Sequence, residues 1–105
     1  MDIRPHETPV HKLTHGQLRR VLGMRLRHAR GRAGLTQKEA ARSFPFSAST
    51  LSRIEWGERV CVDLFELQDL AAFYGLDFDE LRSTPTPEDI IRAEREYQKH
   101  VRRKD

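Results

Sequence analysis

Residues 35–57 read Leu-Thr-Gln-Lys-Glu-Ala-Ala-Arg-Ser-Phe-Pro-Phe-Ser-Ala-Ser-Thr-Leu-Ser-Arg-Ile-Glu-Trp-Gly. Thr36 and Glu39 have capping-box spacing, the hydroxyl accepting from the Glu39 amide and the carboxylate reaching back to the Thr36 N–H. A short helix therefore opens at Gln37. Phe44-Pro45-Phe46 interrupts it, because proline has no N–H and disfavours helical geometry in the residue before it. Ser47 is an N-cap residue for a further helix, and Gly57 a stop after Trp56. In that helix Leu51 and Ile54, three apart, turn inward and leave Ser49, Ser52 and Arg53 outward. The segment predicts two short helices joined by a tight turn, the second opening with small polar residues and carrying an outward arginine. Such a helix fits a DNA major groove.

The pattern extends in both directions. Upstream, Leu18, Leu22, Leu26, Ala29 and Ala33 form one helical stripe, with Arg19, Arg20, Arg25, Arg27 and Arg32 largely off it and Gly34 at its end. Residues 1–13 carry Pro5 and Pro9 with no period and read as a flexible N-terminal arm. Downstream, Asp63 and Glu66 open a helix carrying Leu64, Leu67, Leu70, Ala71 and Tyr74, closed by Gly75. Asp77–Leu81 is a fifth turn, with Phe78 and Leu81 inward. Thr84-Pro85 breaks the chain. Thr86-Pro87-Glu88-Asp89 starts a last helix, with proline at its first position and acids in its first turn. No strand alternation and no internal repeat is visible. The fold class is all-α: a five-helix domain over residues 14–82 and an additional C-terminal helix within 83–105.

Composition narrows the function. Apolar residues make up 37% and charged residues 33% of 105 residues, enough for one modest core under a solvated surface. No run approaches the ~20 apolar residues of a membrane span, and no secretory apolar segment opens the chain. The single cysteine, Cys61, cannot form an internal disulfide. A cytoplasmic, nucleoid-associated setting is expected, with no membrane partner. Net charge is +3, unevenly distributed. Residues 1–34 hold eight basic and two acidic side chains, a net +6, whereas residues 63–82 hold one and six, a net −5. A basic front with an acidic patch behind it orients a molecule toward a polyanion.

Leu22–Leu81 resembles the phage-repressor, or Xre-type, helix-turn-helix domain. The resemblance rests on Leu22-Gly23, Leu26, Arg30, Gly34-Leu35-Thr36-Gln37, Glu39, Ala41, Ser47, Ser49 through Glu55, Gly57, Leu70-Ala71 and Tyr74-Gly75-Leu76. Small actinobacterial regulators of this type are similar, especially in the Ser-Arg-Ile-Glu-x-Gly segment. The resemblance implies a lambda-repressor-like DNA-binding fold and a small transcriptional regulator, a repressor, whose partner is a double-stranded DNA operator. It implies base readout by Ala48, Ser49, Ser52 and Arg53, and phosphate contacts by Gln37, Lys38, Thr50 and Arg19. Arg30 and Glu55 are implied as a structural ion pair. The first helix, its arginines and the N-terminal arm would hold phosphates. Two departures stand out. Pro45 occupies a turn position where the family has a left-handed glycine. Trp56 replaces a small or polar residue and is expected to pack under a neighbouring helix.

Other constellations carry less. His6, His11 and His15 lack the spacing and second ligand pair of a metal site. Asp77, Asp79 and Glu80 lack calcium-loop spacing. Neither a phosphate-binding glycine loop nor a nucleophile motif is present, so no catalysis, metal or cofactor is expected. In the C-terminal helix Ile90, Tyr97 and Val101 share a seam that Glu94 interrupts and Ile91 and Ala93 widen. This seam can pair two subunits in a homodimer or dock back on the domain, and the spacing leaves both open. The acidic fourth and fifth helices and the seam also suit a protein partner, as in an antitoxin or an adaptor of the transcription machinery.

Overall fold

The computed structural model describes residues 13–58 and 63–104. The expectations for residues 1–12, including His6 and His11, and for Cys61 fall outside these residues. Six helices follow in order: α1 (His15–Arg32), α2 (Gln37–Ala41), α3 (Ala48–Glu55), α4 (Leu64–Phe73), α5 (Phe78–Leu81) and α6 (Pro87–Lys104). No strand occurs among the described residues. The chain is all-α.

Side chains cap the helix starts. Thr36 and Glu39 exchange both bonds of a capping box, at 3.1 and 3.0 Å. Ser47 accepts from the Thr50 amide, and Asp63 from the Phe65 and Glu66 amides. Thr14 and Gln17 form another box at the start of α1, from a Thr-x-x-Gln signature. Thr86 and Asp89 do the same for α6. Each cap satisfies amides that the first helical turn leaves without partners.

The main core gathers Leu26, Ala29, Ala40, Leu51, Ile54, Leu70, Ala71, Tyr74 and Leu81 from α1 through α5 and the end of α4. A second core joins Val21 and Met24 of α1 to Ala93 of α6, with Ile90 packed against it. Helix α1 is therefore covered on two faces. The single stripe expected for it is corrected on two points: Val21 and Met24 are buried, and Ala33 is exposed. The second covering helix buries a face that periodicity alone assigns to solvent. Burying side chains of this size contributes about 1.5–3 kcal/mol each.

A row of charged contacts registers α6 on α1. Arg20 donates to Glu94 at 2.6 Å and lies 4.1 Å from the Tyr97 ring centre. Arg25 donates to Asp89 at 3.0 Å and to the carbonyls of Leu81 and Ser83. Arg27 and His28 both meet Glu96. Of the first-helix arginines expected to hold phosphates, Arg20, Arg25 and Arg27 are paired within the chain. Carboxylates of α6 already engage their donors, through pairings 64 to 74 residues apart that no local pattern encodes.

Two glycines let α1 and α3 approach. A Cβ on Gly23 would sit 2.5 Å from the Glu55 carbonyl oxygen, and one on Gly57 would sit 2.8 Å from Arg20 Cα. Gly57 also has φ 71°, which an L side chain resists. These contacts are backbone and cannot swing away. Gly23→Ala is expected to destabilise the fold by about 1–3 kcal/mol in thermal or urea unfolding. Gly31→Ala, with no atom within 4 Å of the new Cβ, is the matched control and should not destabilise.

Asp89 supplies a pH-dependent contact. Burial raises its carboxyl pKa, but the Thr86 N–H and hydroxyl and the Arg25 guanidinium outweigh that and hold it below the ordinary 3.8. Its contribution is therefore present above that ordinary value and lost as pH falls through the lower folded one. Asp89→Asn should flatten the acid limb of the stability profile in this window, as followed by unfolding at successive pH values.

Candidate nucleic-acid interface

Helix α3 presents two unlike faces. Leu51 and Ile54 are buried in the main core, whereas Ser49 and Arg53 are exposed and Ser52 half-buried. Ala48 is half-buried and packs against the core, so only part of its methyl faces outward. Ser49 and Arg53 are four apart and share one side of the helix. Thr50 is half-buried at the α3 start, where Ser47 Oγ lies 3.2 Å from its hydroxyl. Lys38 is exposed in the first turn of α2. Arg19 is half-buried, its Nε 3.4 Å from the Gly57 carbonyl. The implied base-reading residues thus line one helix, and the implied phosphate-contacting residues lie at the α2 and α3 starts and on α1.

The opposite end of α3 is fixed by one carboxylate. Glu55 is 0% exposed. Arg30 Nε of α1 donates to both its oxygens at 3.0 Å, Gln37 Nε2 of α2 donates at 3.0 Å, and the Tyr74 hydroxyl at the end of α4 donates at 3.1 Å. Arg30 also donates to the Leu35 carbonyl at 2.7 Å, and Arg27 to the backbone carbonyl of Glu55. Burial, followed by the Glu55 charge and its hydrogen bond, pushes the Tyr74 phenol far above its ordinary 10.0, so it remains a donor. Gln37 commits one N–H to Glu55 and keeps a second for another acceptor. Arg30 and Glu55, which the resemblance pairs, are part of a larger network. Its Tyr74 member was missed, because the periodic pattern assigns that residue only to the core.

The turn between α2 and α3 is long. Residues 42–47 separate the helices, and no non-glycine among the described residues has positive φ. Pro45 is accommodated by aromatic packing. The Phe44 and Phe46 rings stack across it with centroids 5.4 Å apart, and Phe44 meets Phe73 of α4 edge-on at 5.6 Å. The turn is pinned to α4 instead of relying on a left-handed residue. Trp56, just beyond α3, stacks on His100 of α6 at 3.9 Å and lies 3.7 Å from the Arg27 guanidinium. It packs under α6, as expected.

Two short helices joined by a turn, the second bedded in the core with a polar outer side, make a helix-turn-helix. Residues 21–84 match the description of the helix-turn-helix domain family. The chain belongs to this family. The matched stretch covers α2 through α5 and most of α1, and stops before α6. No curated protein matches the chain, and no solved structure does. In DNA-binding helix-turn-helix domains the second helix enters the major groove, and α3 is the second helix of the motif here. No helix among the described residues is long and apolar enough to cross a membrane.

In this helix-turn-helix the Glu55 network predicts a graded response to mutation. Glu55→Leu leaves Arg30 without its partner and should cost about 3–5 kcal/mol. Tyr74→Phe removes one donor to the buried carboxylate and should cost less, about 1.5–3 kcal/mol. Urea unfolding of both variants checks the order.

Proposed function

We propose that the protein is a sequence-specific double-stranded DNA-binding regulator of the phage-repressor, Xre type, acting as a repressor in the cytoplasm and without catalysis. The observation that carries this reading is the side of α3 with Ser49 and Arg53 exposed and Ser52 half-buried, opposite a face locked through Leu51, Ile54 and Glu55. A rigid helix with an outward arginine suits bidentate pairing to guanine O6 and N7, a contact worth about 1–3 kcal/mol of discrimination. Ser49 and Ser52 bond to several bases and discriminate less. Ala48 offers a thymine methyl only a partly exposed methyl of its own. Lys38, the second N–H of Gln37, Thr50 and Arg19 supply the phosphate contacts. With few long side chains on the reading face, specificity also draws on DNA shape. Occupying an operator would exclude the transcription machinery.

A second reading has its own support. Leu64 is 60%, Phe65 72% and Phe73 43% exposed on α4, beside the acidic side chains of α4 and α5. Large exposed apolar side chains of this kind suit a protein partner, as in an antitoxin or an adaptor of the transcription machinery.

Selection of bound duplexes from a random-sequence library tests the first reading. An enriched motif is expected, and an inverted repeat with half-sites about one helical turn apart would show two copies bound. Arg53→Ala should relax preference at one position per half-site, whereas Lys38→Ala should weaken all sequences alike. An unchanged base preference in Arg53→Ala overturns the readout assignment. Retention without enrichment favours the protein-partner reading.

A further inference from the structure

Arg20, Arg25 and Arg27 are engaged by α6, and α6 brings cations of its own. Its acids are confined to residues 88–96. Asp89, Glu94 and Glu96 all meet α1 arginines. From Tyr97 through Lys104 there is no acid, and five of the eight side chains are Lys, Arg or His.

The docking fixes where that basic turn lies. Ser49, Arg53 and Trp56 are spaced four and three apart, so they continue one side of α3 past its end. Trp56 is covered by His100, ring on ring at 3.9 Å and inclined by 7°. His100 Nε2 also lies 3.8 Å from a carboxylate oxygen of Glu58, in the segment that follows α3. His100, one turn before the end of α6, therefore sits on Trp56, where the side of α3 that carries Ser49 and Arg53 runs out. On α6, positions 96, 99, 100 and 103 share one flank, at spacings of three and four. Glu96 and His100 anchor that flank to Arg27, His28 and Trp56. Lys99 and Arg103 lie on it and are exposed. Arg95 and Arg102 belong to a different flank, with Ile91 and Gln98 around a shallow groove against Gln17.

From this juxtaposition we infer that Lys99 and Arg103 form a second phosphate-binding surface, which grips the DNA backbone beyond the segment read by α3. The partner is the sugar-phosphate backbone of the same duplex. The contact adds affinity without base preference and lengthens the site occupied by each copy. This inference rests on the DNA-binding reading above.

The test is the salt dependence of binding by the full chain to a duplex recovered from the selection, with footprinting of its flanks. Lys99→Gln/Arg103→Gln should reduce the slope of log affinity against log salt by about two, at ~0.9 per phosphate, and shorten the footprint on one flank. Base preference should stay intact. Arg95→Gln/Arg102→Gln removes the same charge from the other flank and should leave both readouts unchanged. Equal loss in the two double variants would mean a general charge effect and overturn the inference, as would no loss in either. If the wild-type chain recovers no duplex, the DNA reading has failed and the inference fails with it. If it binds with its motif but both double variants match it, only the α6 contact is refuted.

Discussion

A buried carboxylate has to be paired with donors, and Glu55 takes them from three different helices or helix ends. Arg30 comes from α1, Gln37 from the start of α2 and Tyr74 from the end of α4. Each of these bonds lowers the cost of burying the carboxylate, so the four elements are held to one arrangement. Apolar packing of Leu51 and Ile54 would seat α3 in the core but tolerates sliding and rotation. The Glu55 network is directional and fixes both. The outer side of α3, with Ser49 and Arg53, is thereby held at a set angle to α2, whose first turn carries Gln37 and Lys38. Gly23 and Gly57 belong to the same arrangement, since each permits a backbone approach between α1 and the end of α3 that any side chain would block.

Helix α6 extends this frame beyond the stretch that matches the helix-turn-helix family. It buries Ala93 against Val21 and Met24 and draws three α1 arginines into pairs with its own acids. Individual pairs of this partly exposed kind contribute little, commonly about 0–1 kcal/mol. Together with the apolar contact they set the register of α6. That register brings His100 onto Trp56, just beyond α3. Arg20, Arg25, Arg27 and Arg30 of α1 are thus paired within the chain, whereas Lys38 of α2 and Arg53 of α3 stay exposed.

What was legible in the sequence was local. Thr36 with Glu39, Ser47 and Asp63 cap helices because capping depends on residues two or three positions away. Leu51 and Ile54 declare the inward side of α3 by their spacing. The C-terminal helix was legible as amphipathic, but not the identity of its partner, since Ile90 and Ala93 suit α1 of the same chain as well as a second copy. The destinations of Arg20, Arg25 and Arg27 were hidden for the same reason: pairing across some 70 residues leaves no periodic trace. Val21 and Met24 were assigned no role because a helix covered on two faces departs from a single-stripe pattern. Pro45 signalled a departure from the family turn without showing its solution, which lies in Phe44 reaching Phe73 on another helix.

The central claim is that the side of α3 opposite the Glu55 network is the surface that meets DNA. Titrating the isotopically labelled chain with a short duplex, and following backbone and arginine side-chain resonances by NMR, tests it most directly. The largest changes are expected on Ser49, Ser52 and Arg53 and on the first turn of α2, with Leu51 and Ile54 little affected. Changes confined to the exposed Leu64 and Phe65 region of α4, with the outer side of α3 silent, would contradict it.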